Sequence, residues 1–144
     1  MIKKFLLGVL IVMLGISMIG CSDSDSDSNK EVSGYKIKHG EFIESNINDD
    51  VLVIKAKIEP SLNNKLTISQ NGFNVEDIIK NQGGDQFKEI QYWAVADMSS
   101  GEENKVVSFT LNEELIKDIK DGNVVANQII DNADDVYILP SLQN

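Results

Sequence analysis

Ile90-Gln91-Tyr92-Trp93-Ala94-Val95-Ala96-Asp97-Met98 is the stretch on which the fold of this 144-residue chain turns. It is rich in β-branched and aromatic residues, which suit a pleated, packed surface. Its middle is apolar on both faces, so it reads as a central strand covered on each side. Side chains alternate along a strand, which puts Tyr92 and Trp93 on opposite faces. At most one of the two rings can then turn outward to a ligand. Core packing is the ordinary use of both, and they are the candidate ligand contacts. Ser100-Gly101 and Glu102-Glu103-Asn104 supply an exposed turn, and Lys105 to Leu111 returns with Val107, Phe109 and Leu111 on one face.

Working outward, Val51 to Ile58 alternates cleanly, with Leu52, Ile54, Ala56 and Ile58 on one face, and Pro60 ends it. Tyr35 to His39 alternates too and predicts another strand, with a bulge at Gly40 where the phase slips. Leu66 to Ser69 predicts a short strand between Asn63-Asn64 and an Asn71-Gly72 hairpin turn. A helix is expected from Asn74, with Asp77 as capping-box partner and Phe73 and Ile78 as a hydrophobic staple, stopped by Gly83-Gly84. A second runs from about Asn112 to Lys120, with Leu115, Ile116 and Ile119 buried and Asp121-Gly122 closing it. Val124 to Ile130 and Val136 to Leu139 read as short strands, the last an edge because Pro140 follows. The sum is an α+β fold, a mostly antiparallel sheet with two short helices in a single small domain.

Chemistry is sparse. His39 is the only histidine, and as an alternating residue beside Tyr35 and Ile37 it reads as a sheet side chain. The adjacent acid pairs Asp49-Asp50, Glu102-Glu103, Glu113-Glu114 and Asp134-Asp135 fall mostly in expected turns or in a helix's first turn, where solubility and dipole complementarity explain them. Asp131 to Asp135 is dense in oxygen ligands but lacks the glycine and distal glutamate of an EF-hand, as do Asp23, Asp25 and Asp27. No serine stands in a nucleophile-elbow setting and no glycine-rich phosphate loop follows a strand. No catalytic residue, metal site or cofactor is therefore assigned.

The N-terminus carries the most specific signal. Lys3 and Lys4, an apolar run from Phe5 to Ile19, and Gly20 just before Cys21 make the three-part layout of an export signal. The run is short for a membrane span, which takes about 20 residues. Met18-Ile19-Gly20-Cys21 resembles the lipobox of bacterial lipoproteins, although Ile19 stands where that family more often has Ala or Ser. The resemblance implies that a diacylglyceryl group is placed on the Cys21 thiol, with palmitate-type acylation, and that cleavage falls between Gly20 and Cys21. Two or more acyl chains anchor a protein stably where one does not. The body, from Asn71 through Trp93 to Leu139-Pro140-Ser141, is similar to small lipoproteins of low-GC Gram-positive bacteria, a resemblance that carries over no activity.

Residues 1–20 thus read as a signal peptide, 21–31 as the lipidated cysteine with an acidic Ser/Asp tether, and 32–144 as the globular domain. Removing Lys3 and Lys4 with the signal takes the formal charge from -10 to -12. Every basic residue is lysine, so the planar fork that grips phosphate is missing, and nucleic acid is excluded as a partner. A solvated tether from Ser22 to Glu31 reaches at most about 35 Å. The expected protein is a lipid-anchored binding module on the extracytoplasmic face of the cell membrane, with a membrane-proximal protein partner. Its alternatives are an immunity or phage-exclusion lipoprotein and a carboxylate-based hydrolase. Cys21→Ser should leave the fold intact and move the protein out of the membrane fraction; a cleaved Cys21→Ser form that stays membrane-bound would contradict the lipidation reading.

Overall fold

Glu89–Asp97 (β4) lies inside the sheet, hydrogen-bonded on both edges, as its sequence predicts. The computed structural model describes residues 30–31 and 34–144; the signal peptide, Gly20, Cys21 and most of the tether lie outside the described residues. The sheet runs in sequence order through Lys30–Glu31 (β1), Glu41–Asn48 (β2), Val51–Lys57 (β3), β4, Glu103–Asn112 (β5) and Asp134–Ile138 (β6). All pairings are antiparallel except β3 with β4. Lys30–Glu31 falls in the stretch assigned to the tether, yet it pairs with Ile47 and Asn46. The α+β, mostly antiparallel architecture holds.

A parallel β3–β4 pair needs a crossover, and one 18-residue helix supplies it, Asn64–Asn81 (α1). Two expectations fail here. Leu66 to Ser69 is helix, not strand, and Asn71-Gly72 is mid-helix, not a hairpin turn. The cap is Asn63, whose side chain accepts from the Lys65 and Leu66 amides, and the Asn74 cap with its Phe73/Ile78 staple does not exist. The buried face of α1 is Thr67, Asn71, Gly72, Asn74, Val75, Ile78 and Ile79, helical in spacing but polar in its first half. Gly72 sits there because a Cβ would run into the Ala126 carbonyl of the 3-10 turn Ala126–Gln128.

Those polar residues are used. Tyr92, fully buried, donates its hydroxyl to Asn71 Oδ1 (3.2 Å) and accepts from Asn74 Nδ2 (3.0 Å). Asn71 Nδ2 donates back to the Thr67 carbonyl at 2.9 Å. Asn74 also accepts from the His39 amide (2.8 Å) and donates to the His39 carbonyl (3.0 Å). Burial pushes the Tyr92 phenol well above its ordinary range, against the opposing pull of the Asn74 bond. A buried polar group left without its partner costs about 1–3 kcal/mol, so the network is stable only when complete.

Tyr35 to His39 is likewise not a strand. Its alternation is real, with Tyr35, Ile37 and His39 turned inward, but its partner is α1. Gln82, just past the helix end, accepts from the Lys36 amide (2.7 Å) and donates to the Lys36 carbonyl (2.8 Å), as Asn74 does for His39. Side-chain amides thus stand in for a neighbouring strand. Lys38 pairs with Asp77 at 3.0 Å; burial alone would raise that carboxyl, but bonds from Asn81, Lys38 and Gln82 outweigh it and hold it below the carboxylate range. The β2 bulge falls at Ile43, between Phe42 and Glu44, not at Gly40.

Glu113–Asp121 (α2) matches its expectation, capped by the Asn112 side chain on Leu115 N at 3.0 Å, with Leu115, Ile116 and Ile119 buried and Gly122 at its end. Val124 to Ile130 is not a strand; it forms the 3-10 turn and then Ile129–Asn132 (α3), with Ala126, Ile129 and Ile130 buried. Both longer helices pack on one face of the sheet, where Leu52, Ile54, Ala56, Ile90, Tyr92, Val107, Phe109 and Leu111 join a single core. The expectation that β4 is covered on each side is therefore corrected. Among the described residues no helix lies on the opposite face, where Val95, itself buried, stands in register between Lys57 and Lys105.

Gly→Ala inside a helix ordinarily stabilises by about 0.5–1 kcal/mol. Gly72→Ala should instead destabilise, by on the order of 2 kcal/mol, because the methyl group meets backbone. Urea unfolding gives the sign, and a stabilised variant would refute the close crossing.

Candidate functional site

The uncovered face is ordered in rungs across the strands. One rung runs Glu44, Lys55, Trp93, Ser108, Tyr137 from β2 to β6. Trp93 is 44% exposed and Tyr137 37%, while Ser108 between them is buried. A serine between two large rings leaves a gap, and Lys105 fills it. Its ammonium lies 4.6 Å from the Tyr137 ring centre and 5.3 Å from that of Trp93, within cation–π range of both.

Lys105 reaches this position through a bulge. Val107 pairs with Ala94 and Lys105 with Val95, so Val106 is an extra residue in β5. In an unbroken strand Val106 would share the face of Ser108 and Lys105 would point to the core. With the bulge, Val106 is buried in the core and Lys105 emerges on the open face.

Beside the clamp lies a shallow groove of about 600 Å³ lined by Glu44, Asn46, Asn48, Val53, Lys55 and Trp93. Lys55 is held by Glu103 at 3.5 Å and Lys57 by Asp97 at 2.8 Å. Asn46 Oδ1 is buried and, among the described residues, has no hydrogen-bond partner. The groove therefore offers an aromatic wall, one apolar side chain and several polar groups, a composition suited to binding.

A second cleft, at the end of the sheet beyond β4, is lined by His39, Glu41, Lys57, Glu59 and Asp97. His39 packs edge-on to Phe73 with ring centres 6.1 Å apart, and its backbone is bound to Asn74. Gly40, at φ +114°, lets the chain pass against the Lys57 carbonyl where a side chain could not fit. Asp97 is paired with Lys57 and stands across from Glu103 on β5, and the Lys57–Asp97 hydrogen bond raises the Lys57 ammonium above the lysine range.

Of the two aromatic candidates, Trp93 is on the open face, whereas Tyr92 is stacked on Phe109 at 5.2 Å in the core and can touch no ligand. Asp49-Asp50 lies in a turn and Glu113-Glu114 at the start of α2, whereas Glu103, expected in a turn, opens β5 and pairs across from Asp97. Asp134 accepts from Asn112 Nδ2 at 2.9 Å, and among the described residues no three His, Asp or Glu side chains gather as a metal site. Sequence reasoning misses Lys105 and Tyr137, because no glycine marks the Val106 bulge. No protein-family model matches the chain, and no curated protein or solved structure is detectably similar to it.

Proposed function

We propose that the protein is a lipid-anchored binding module held at the extracytoplasmic face of the cell membrane, and that it engages a membrane-proximal protein partner through the open face of its sheet. The observation that supports the reading is the Trp93–Lys105–Tyr137 clamp. Two large rings are left exposed on a sheet whose other face is fully packed, and aromatic side chains with a polar tip are the residues that most often anchor interfaces. The anchor rests on the resemblance of Met18-Ile19-Gly20-Cys21 to a lipobox. A short acidic tether would keep the face within about 35 Å of the bilayer.

The test is capture of a partner from a cell-envelope extract by the soluble domain. Capture should succeed with the native face and fall at least about tenfold when Trp93→Ala and Tyr137→Ala are combined, a loss of the size expected for two interface aromatics. A partner retained in full by the doubly substituted protein would place binding elsewhere, and crosslinked extracts that yield no partner at all would count against a binding role.

A further inference from the structure

We infer that Lys105 is a displaceable occupant of the Trp93–Tyr137 clamp, and that the clamp's ligand is a lysine side chain carried on a basic segment of the protein partner. The inference rests on the binding-module reading above and names the chemistry of its partner.

The clamp already holds an ammonium. Two ring faces attract a cation through their quadrupoles, and Lys105 shows that the gap over Ser108 admits one. Lys105 is exposed and sits on a flexible four-carbon stem, and no carboxylate pairs with it among the described residues. An exposed contact of this kind is weak enough to exchange. Two other lysines on this face, Lys55 and Lys57, are held by Glu103 and Asp97, so neither competes for the rings.

The surrounding charge favours the same ligand. On the open face the strands place Glu41, Glu44, Glu89, Asp97, Glu103 and Asp134 against Lys55, Lys57 and Lys105. Glu44 shares the rung of Trp93 and lines the groove beside it, without an ion pair among the described residues. An incoming lysine can lay its stem on Trp93 and meet Glu44 with a neighbouring basic residue. The whole chain, at -10, attracts a basic segment and repels an acidic one.

The experiment uses the single tryptophan, Trp93, as its own reporter. An N-acetylated hexalysine amide, titrated at fixed ionic strength, should change Trp93 emission saturably. Lys105→Ala should tighten that binding about two- to fivefold, the worth of an exposed cation–π contact. Lys36→Ala makes the same change in net charge at an exposed position in the Tyr35 to His39 segment that α1 holds, and should tighten it less. By calorimetry, Trp93→Ala and Tyr137→Ala should each weaken hexalysine binding by a similar factor, with circular dichroism confirming the fold. Equal effects of Lys36→Ala and Lys105→Ala, unchanged affinity in the ring variants, or equal binding of hexaglutamate would overturn the inference, as would no binding. A matching response to tetramethylammonium chloride would overturn it too, by pointing to a small quaternary amine. If a partner is captured through Trp93 while hexalysine fails, this inference falls and the binding-module reading stands; if neither binds, both fall.

Discussion

The hydroxyl of Tyr92 is the constraint on which the rest of the structure depends. It lies in the core with no exposure, and Asn71 and Asn74 of the crossover helix satisfy it. A strand that carries such a group cannot slip by one residue without turning it to the wrong face. The same asparagines fix the helix, one through the Thr67 carbonyl and the other through the backbone of His39. Sheet register, helix position and the strap before β2 are thereby tied to one point. Buried polar networks of this kind specify a single arrangement when every member is satisfied.

The consequence for function follows from alternation. If Tyr92 must face the helices, Trp93 must face away from them. With no helix on that side among the described residues, Trp93 meets Tyr137 across Ser108, and the bulge at Val106 delivers Lys105 between them. The candidate site is thus a by-product of the core's register together with one extra residue in β5. It stands on strands, which hold side chains more rigidly than loops do.

Much of the fold is legible in the amino-acid order alone. β3, β4, β5 and α2 follow from alternation, capping and helical spacing, with Leu52, Ile54, Ala56, Val107, Phe109, Leu111, Leu115, Ile116 and Ile119 all buried as expected. The first half of α1 is not legible, because Thr67, Asn71, Gly72 and Asn74 break the apolar stripe, and Asn-Gly mimics a hairpin turn. Both the polar stripe and the glycine have tertiary causes, the Tyr92 hydroxyl and the crossing at Ala126. The strap of Tyr35 to His39 mimics a strand for a related reason, since side-chain amides of Asn74 and Gln82 supply what a strand would. Trp93 can be named as a candidate from alternation alone. Lys105 and Tyr137 cannot, because a bulge without glycine leaves no local mark.

The two-faced sheet is the central claim, and the lone tryptophan reports on it. Acrylamide quenching of Trp93 emission in the native protein, compared with the urea-unfolded chain, measures whether that ring is open to solvent. The predicted result is a solvent-like emission and ready quenching in the folded state, approaching that of the unfolded chain. Blue-shifted emission with strong protection from acrylamide, in the monomeric native protein, would mean that the second face is covered and would contradict the arrangement on which the site is built.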